Sequence, residues 1–446
     1  MTKNLTEGDP ARLILFFTLP LLAGNVFHQL YAFVDTLIVG RFLGVEALAA
    51  VGCTGSLMFL MLGFVIGVTS GLSIYTGQRF GAKDRRGVRR SVAACMILSL
   101  GLSIVLTIFG VAFCRTFLVW MQTPEESLQG AYDFISIIYG GIFTFVFIQM
   151  QTNILRALGD SRMPTVILAA MLFINILLEP LAILVLGWGI TGAAFATIVA
   201  WFSGNILCFF YIWKKVPAMH TRWEDWKMDR KILWEHLRIG IPMGFQASII
   251  AMGAVILQVA LNHLGPVAVA AYAASQKVDT VAIMPMMSFG MAMAAYTAQN
   301  YGARKYDRIE EGVRKCIYMS VSFSILAGAA VIFFGPDIMQ LFVGEGQEQV
   351  IEYGEMYLVV NGVCYWILAL LFIYRFTLQG LGKSMVPTIA GIMELIMRAA
   401  AGLFLVEWLG YLGACLASPM AWIGACVPLA IAFFATRSHM RKKYSV

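Results

Sequence analysis

Twelve long apolar runs constrain this chain more than any other feature. A helix needs about 20 apolar residues to cross a hydrocarbon core of about 30 Å. The runs lie at approximately 13–40, 46–77, 88–113, 130–154, 163–186, 190–213, 236–263, 266–300, 313–335, 351–380, 386–407 and 410–436. Only 13% of the 446 residues are charged, whereas soluble domains carry about a quarter. The sequence therefore excludes a soluble domain, a disordered chain and a nucleic-acid-binding protein, and it predicts an all-α integral membrane protein.

Basic residues alternate along the loops between these runs. Most Lys and Arg fall in every second loop, as in the stretches 79–90, 214–238 and 304–315, and also at the C-terminal end. Loops that carry Lys and Arg stay in the cytoplasm under the positive-inside rule. We therefore expect a multi-pass protein with both termini cytoplasmic. An even number of spans fits this expectation, because it places both termini on the same side of the membrane.

The chain repeats itself at half its length. Short patterns recur roughly 222 residues later: Pro20 as Pro242, Gln78-x-x-Gly81-Ala82 as Gln299-x-x-Gly302-Ala303, and Gly159-x-x-x-x-Pro164-Thr165 as Gly382-x-x-x-x-Pro387-Thr388. Six spans per repeat is an even number, so both repeats enter the membrane in the same direction. We predict two six-helix lobes, 1–213 and 236–446, joined by a cytoplasmic linker at 214–235. They should be related by a pseudo-two-fold axis along the membrane normal.

Four polar side chains should meet in the outer half of the first lobe. Asp35 and Glu179 lie five and seven residues before the outer ends of spans 1 and 5, which places them about 7 and 10 Å below the outer surface. Thr197 lies at a similar depth in span 6, and Asn175 is one helical turn from Glu179. A charged group within a span is costly, so each is a candidate functional residue.

Two carboxylates in a poorly solvated pocket cannot both ionise cheaply unless a cation lies between them. Asp35 and Glu179 could therefore form a proton site, a site for a substrate cation, or a metal site if the ion is Na⁺. In the alternative interpretation, Asp35 is hydrated near the interface and Glu179 only satisfies the backbone at Pro180.

Other candidates are secondary. Glu394 and Arg398 are four residues apart on span 11, a spacing that allows a structural salt bridge, although both could instead line a cavity. Asp279 on span 8 lies two residues from Lys277, so the two should point to different faces. His28, two helical turns before Asp35, is a weaker candidate for a proton path.

Four segments resemble one family of transporters. The segments FVDTLIVGRFLGVEALAAVG (33–52), GQRFGA (77–82), LRALGDSRMPT (155–165) and NILLEP (175–180) are similar, in this order, to those of the MATE (multidrug and toxic compound extrusion) family. The resemblance implies a twelve-helix antiporter. Asp35 matches the family's acidic residue in the first helix, Asn175 and Glu179 match its fifth-helix motif, and Thr197 matches a polar position in the sixth.

The second lobe departs from NorM-like members of the family. Their seventh-span carboxylate corresponds to Ile250, and the stretch 361–376 of the tenth span, where such members have a further acidic residue, contains none. In its acidic residues the chain is therefore closer to DinF-like members, and we expect ion coupling to occur in the first lobe.

The resemblance implies a secondary antiporter in the bacterial inner membrane. It would export lipophilic, mostly cationic drugs or toxic metabolites by alternating access, driven by H⁺ or Na⁺ and without another cofactor. The expected partners are small amphipathic molecules and the lipid bilayer, with no nucleic acid and no obligate protein partner. The alternative is a flippase for a lipid-linked or polar lipid, which would need a strongly basic central groove. An enzyme is disfavoured because the sequence contains neither HExxH nor GxSxG.

Overall fold

The computed structural model describes residues 3–343 and 346–444, and within these ranges every regular element is a helix. The thirteen α-helices, α1 to α13, are Pro10–Gly81, Arg85–Trp120, Glu125–Gly140, Ile142–Ala157, Arg162–Pro180, Gly189–Lys215, Arg230–His263, Pro266–Gly302, Tyr306–Val343, Glu348–Gly380, Met385–Ala400, Val406–Leu409 and Tyr411–Tyr444. Single π-helical turns, Leu181–Val185 and Ala401–Leu405, follow α5 and α11. Two short 3₁₀ helices, Pro217–Met219 and Trp223–Trp226, precede α7.

The helices account for twelve membrane spans among the described residues. Ten continuous helical segments are long and apolar enough to cross a bilayer, and α3 with α4 forms one further span that is bent by 49°. Helix α1 contains a non-helical residue, Gly44, which divides its 72 residues into two spans. The predicted all-α, twelve-span architecture is confirmed.

The fourth predicted span, 130–154, is not one continuous helix. It is built from α3 and α4, which meet at Gly141, a residue with φ −97° and ψ 8°. A Cβ atom at Gly141 would meet the side chain of Ile198 on α6. The bend therefore brings the chain close to α6, a tertiary contact that apolar run length does not reveal.

A glycine-only backbone conformation separates the first two spans of each repeat. Gly44 has φ 87° and ψ −175°, and Gly265, at the corresponding place between α7 and α8, has φ 96° and ψ 174°. Residues with a Cβ atom are almost excluded from this region. The recurring Leu-Gly pairs, Leu43-Gly44 and Leu264-Gly265, are therefore explained by a backbone requirement.

Gly44→Ala should destabilise the protein by about 2 kcal/mol, the usual cost of a Cβ atom in this region. A Cβ atom at Gly44 would meet no atom within 4 Å, so the cost comes from backbone strain alone. Gly52→Ala is the matched control, because Gly52 has equally open space but lies within a helix, where alanine is favoured. Thermal unfolding of the purified variants measures the difference, and equal midpoints for the two would contradict this explanation.

By its internal contacts, the chain divides into two compact units. Among the described residues, the first contains Lys3, Asn4 and Pro20–Gly244, and the second contains Leu5–Leu19 and the described residues from Phe245 to Tyr444. This division differs from the predicted lobe boundaries at 213 and 236. Each repeat contributes the first part of its first helix to the unit formed mainly by the other repeat.

The predicted linker, 214–235, packs on the first unit. Arg89 Nε on α2 lies 3.0 Å from Asp225 Oδ2, and the backbone N–H of Arg222 donates to the same oxygen at 2.8 Å. Burial raises the pKa of the Asp225 carboxyl, but these two hydrogen bonds outweigh it and hold the pKa below its usual range. Further along, His236 Nε2 lies 2.7 Å from the Ser91 hydroxyl.

Glycine pairs explain why the beginning of α7 belongs to the first unit. A Cβ atom at Gly71 on α1 would lie 2.6 Å from the Cα of Gly240, and one at Gly67 would lie 2.8 Å from the Cα of Gly244. Close helix crossings of this kind need small residues. The sequence contains these glycines but does not show that they face one another.

Polar contacts hold the N-terminal segment to the second unit. The backbone N–H of Leu5 donates to Gln299 Oε1 at 2.9 Å, and Lys305 Nζ donates to the carbonyl of Thr6 at 2.8 Å. Asp9 Oδ1 forms an ion pair with Lys315 Nζ at 2.6 Å. Within this unit α10 is central and packs against α8, α9 and α13.

Candidate functional site

Helix α1 presents a tyrosine and a carboxylate on one face. Tyr31 and Asp35 are four residues apart, so their side chains lie one turn apart on α1. The Tyr31 hydroxyl and Asp35 Oδ1 are both buried, and neither has a hydrogen-bond partner. Both oxygens are therefore candidates to bind a ligand.

Helix α5 presents an amide and a second carboxylate. Asn175 Nδ2 donates to Glu179 Oε2 at 3.0 Å, and both side chains are fully buried. Asn175 Oδ1 and Glu179 Oε1 have no hydrogen-bond partner. Glu179 stands at the end of α5, immediately before Pro180 and the π-helical turn Leu181–Val185. Turns of this type are frequent at functional sites.

The two pairs meet inside the first unit. The carboxyl groups of Asp35 and Glu179 interact directly, and the Thr197 hydroxyl on α6 lies beside that of Tyr31. Thr197 itself donates to the carbonyl of Ala193 at 3.1 Å. The four residues predicted from depth are thus brought together by the fold. Their roles remain predictions.

Tyr31 belongs to this cluster, although the sequence did not indicate it as a polar contact. The available signal was its spacing of four residues from Asp35, which places the two side chains on one helical face. Tyrosines are numerous in a membrane protein, so that spacing was not distinctive. The proximity of Asp35, Thr197 and Glu179, which lie on three helices, shows that the Tyr31 hydroxyl points into the site.

The site combines two carboxyl groups with unpaired neutral oxygens. Among the described residues, no Lys, Arg or His forms an ion pair with Asp35 or Glu179. No group of three or more His, Cys, Asp or Glu side chains in those residues could hold a metal ion. Chemically, the cluster can share a proton between its carboxyl groups or bind one monovalent cation through carboxylate and neutral oxygens.

The structure places His28 elsewhere. Part of its surface is exposed, and a charged group that interacts with it is Arg156 at the end of α4. Neither Asp35 nor Glu179 is among its described contacts. The structure therefore does not bring His28 into the carboxyl cluster.

In the second unit, Asp279 is held by two tyrosines. Tyr357 donates to Asp279 Oδ2 at 3.1 Å and Tyr365 donates to Asp279 Oδ1 at 2.5 Å. Asp279 is buried, whereas Lys277 is exposed. The prediction that these two residues point to different faces is confirmed.

Glu394 bridges two arginines. Arg398 Nη1 lies 3.3 Å from Glu394 Oε2, so the ion pair at i, i+4 is present. Glu394 Oε1 also accepts from Arg375 Nη2 on α10. The second arginine was not predicted as a partner, because it comes from another helix. Arg375 and Glu394 are buried, and Arg398 is nearly so.

The comparisons with known proteins agree with this architecture. The MatE family model matches residues 20–181 and 242–403, once in each repeat. This chain belongs to the MATE family. YoeA, a probable multidrug resistance protein of Bacillus subtilis (strain 168), is 30% identical over 406 residues, which are 89% of this chain and 86% of that relative. An FAD transporter of Shewanella oneidensis is 25% identical over 400 residues, 88% of this chain and 87% of that relative.

A solved structure supports the same fold. It is described as the outward-facing conformation of a multidrug resistance MATE family transporter of the MOP superfamily. Its TM-score is 0.90 at 23% sequence identity, and the match covers 99% of each chain. This match shows the MATE fold, and membership of the family makes the chain a multi-pass membrane transporter, as the resemblance implied. Its closeness to DinF-like members stays a prediction.

Proposed function

We propose that this MATE protein is a secondary antiporter that exports lipophilic, mostly cationic compounds by alternating access in exchange for H⁺ or Na⁺. The observation that carries the proposal is the contact between Asp35 and Glu179, two carboxyl groups without a basic partner in the described first unit. In this proposal, the pair binds a cation or a proton with a different affinity in each conformation of the first unit. That difference is what allows an ion gradient to drive a conformational change.

Each residue of the cluster has a distinct role in this proposal. Asp35 and Glu179 hold the coupling ion, and Asn175 fixes one Glu179 oxygen so that the other faces the ion. Thr197 and Tyr31 supply neutral oxygens at the same point. The relatives support transport of organic molecules, since one is a probable multidrug resistance protein and the other an FAD transporter.

The proposal includes a location and an orientation. We place the protein in a bacterial inner membrane with both termini in the cytoplasm. The loops rich in Lys and Arg and the bacterial relatives support this placement.

Ethidium efflux from proteoliposomes tests the proposal. The purified protein should move ethidium when either a proton gradient or a sodium gradient is imposed, and collapsing that gradient should reduce transport to that of empty liposomes. The gradient that works identifies the coupling ion. If neither gradient drives transport of any lipophilic cation, the antiporter is contradicted and the lipid flippase becomes the better hypothesis.

A further inference from the structure

The carboxyl site of the first repeat has a counterpart of opposite charge in the second. The motif Gly159-x-x-x-x-Pro164-Thr165, repeated as Gly382-x-x-x-x-Pro387-Thr388, aligns α5 with α11 at an offset of 223 residues. Arg398 then corresponds to Asn175, and Gly402 corresponds to Glu179. The offset of 222 between Pro20 and Pro242 aligns Asp35 with Leu257.

Contacts within the second unit support this alignment. A Cβ atom at Gly402 would lie 3.9 Å from the Cα of Leu257. This is the same pairing of helices that joins Glu179 to Asp35 in the first unit. The acidic pair of the first repeat is therefore replaced by a glycine and a leucine.

A second glycine makes room for the arginine. Gly253 corresponds to Tyr31, and a Cβ atom there would lie 3.3 Å from Cδ of Arg398. A side chain as large as tyrosine at this position would collide with the arginine. The second unit thus accommodates the Arg398 guanidinium group at the place where the first unit has oxygen atoms.

Arg375, Arg398 and Glu394 form a cationic cluster with an excess of positive charge. Arg375 and Arg398 share the single carboxylate of Glu394, so the three side chains together carry one net positive charge. Among the described residues Asp279 forms no ion pair with either arginine, and its two oxygens accept from tyrosine hydroxyls. An unbalanced charge within a bilayer is costly and indicates a functional site.

Donor groups of both arginines lack acceptors. Arg375 is 6% exposed, and its Nε is buried without a hydrogen-bond partner. Arg398 donates through Nη1 to Glu394, and among the described residues its other N–H groups have no acceptor. Guanidinium groups bind carboxylate and phosphate oxygens strongly because several N–H groups can donate at once.

We propose that Arg398 and Arg375 bind an anionic group, a carboxylate or a phosphate, on the molecule that this transporter carries. The inference rests on the proposed export function and names a chemical class of substrate for it. Amphiphiles that combine a ring system with an anionic group would then be cargo alongside lipophilic cations. Glu394 would keep the two guanidinium groups in place when the site is empty.

Two matched pairs of fluorescent probes test this proposal by direct binding to the purified full-length protein. Rhodamine 110 has a free carboxylate, and rhodamine 123 is its methyl ester. Flavin mononucleotide has a phosphate that riboflavin lacks. The wild type should bind at least one anionic probe. Arg398→Gln should weaken that binding about tenfold or more, the usual loss for a charge-assisted hydrogen bond, and leave rhodamine 123 binding unchanged.

The variants are chosen so that folding and binding can be separated. Glu394 keeps its contact with Arg375 in Arg398→Gln, and Arg398→Lys retains the charge and should give an intermediate loss. Lys277→Gln removes an exposed cation of the same unit and should have no effect. If Arg398→Gln weakens the binding of rhodamine 110 alone, the site binds carboxylates. If it weakens the binding of flavin mononucleotide alone, the site binds phosphates.

Three outcomes would overturn the proposal. In the first, the wild type binds neither anionic probe. In the second, Arg398→Gln weakens the binding of both members of each probe pair equally. In the third, Lys277→Gln weakens the binding of the anionic probes as much as Arg398→Gln does. None of them affects gradient-driven ethidium export, so a failure here is distinguishable from a failure of the antiporter.

Discussion

Asp35→Asn should reduce gradient-driven ethidium export by about 100-fold, the upper range of typical coupling between two binding sites. Asparagine preserves the size of the side chain but cannot take up a proton or supply a negative charge to Na⁺. Glu179 would then face a neutral amide, and the ion would no longer favour one conformation of the first unit. Transport by reconstituted protein under the effective gradient measures the loss.

Two comparisons make this prediction specific. Glu46→Gln removes an exposed carboxylate from the same long helix, α1, and should leave transport unchanged. Ethidium binding by Asp35→Asn without a gradient should persist if Asp35 acts in coupling, and it should be lost if Asp35 instead holds the substrate cation. Export by Asp35→Asn at the wild-type rate would contradict the assigned role.

Glu394→Gln should destabilise the protein by about 3 to 5 kcal/mol. The cost arises because the substitution leaves two guanidinium groups, Arg375 and Arg398, close together without a counter-charge. All eight cysteines are free, and five of them are buried. A thiol-reactive fluorescent dye therefore reports unfolding, and its midpoint temperature should fall clearly in this variant.

The double variant Glu394→Gln/Arg398→Gln gives the sharper result. Removing one of the two uncompensated cations should recover part of the lost stability. Glu352→Gln, an exposed acidic residue on α10, is the matched control and should have little effect. A double variant less stable than Glu394→Gln alone would show that charge repulsion does not explain the loss.

The carboxyl cluster shows how far sequence reasoning reaches in a membrane protein. Asp35, Asn175, Glu179 and Thr197 were brought together by counting residues from the ends of apolar runs. The calculation succeeded because each helix rises about 1.5 Å per residue and the bilayer sets a common reference depth. Depth alone does not determine rotation about the helix axis, so Tyr31 was not recognised as part of the site.

Other features depend on which helices pack side by side. Arg375 and Glu394 lie on α10 and α11, and nothing in either segment marks the other as its partner. The same is true of the glycines that join the beginning of α7 to the first unit. A contact between distant segments leaves no local pattern, because each segment satisfies its own hydrophobic and helical requirements without it.

The sequence by itself determined the class of this protein: the twelve spans, the internal repeat and the family. The physical reason is that a bilayer forces each spanning segment to be long, apolar and helical. Only the tertiary structure decided the unit boundaries at Pro20 and Gly244, the bend at Gly141 and the second arginine at Glu394. These features depend on how each helix is rotated about its axis and on which side chains pack closely. The bilayer does not determine either property, because both depend on the side chains at each helix–helix contact.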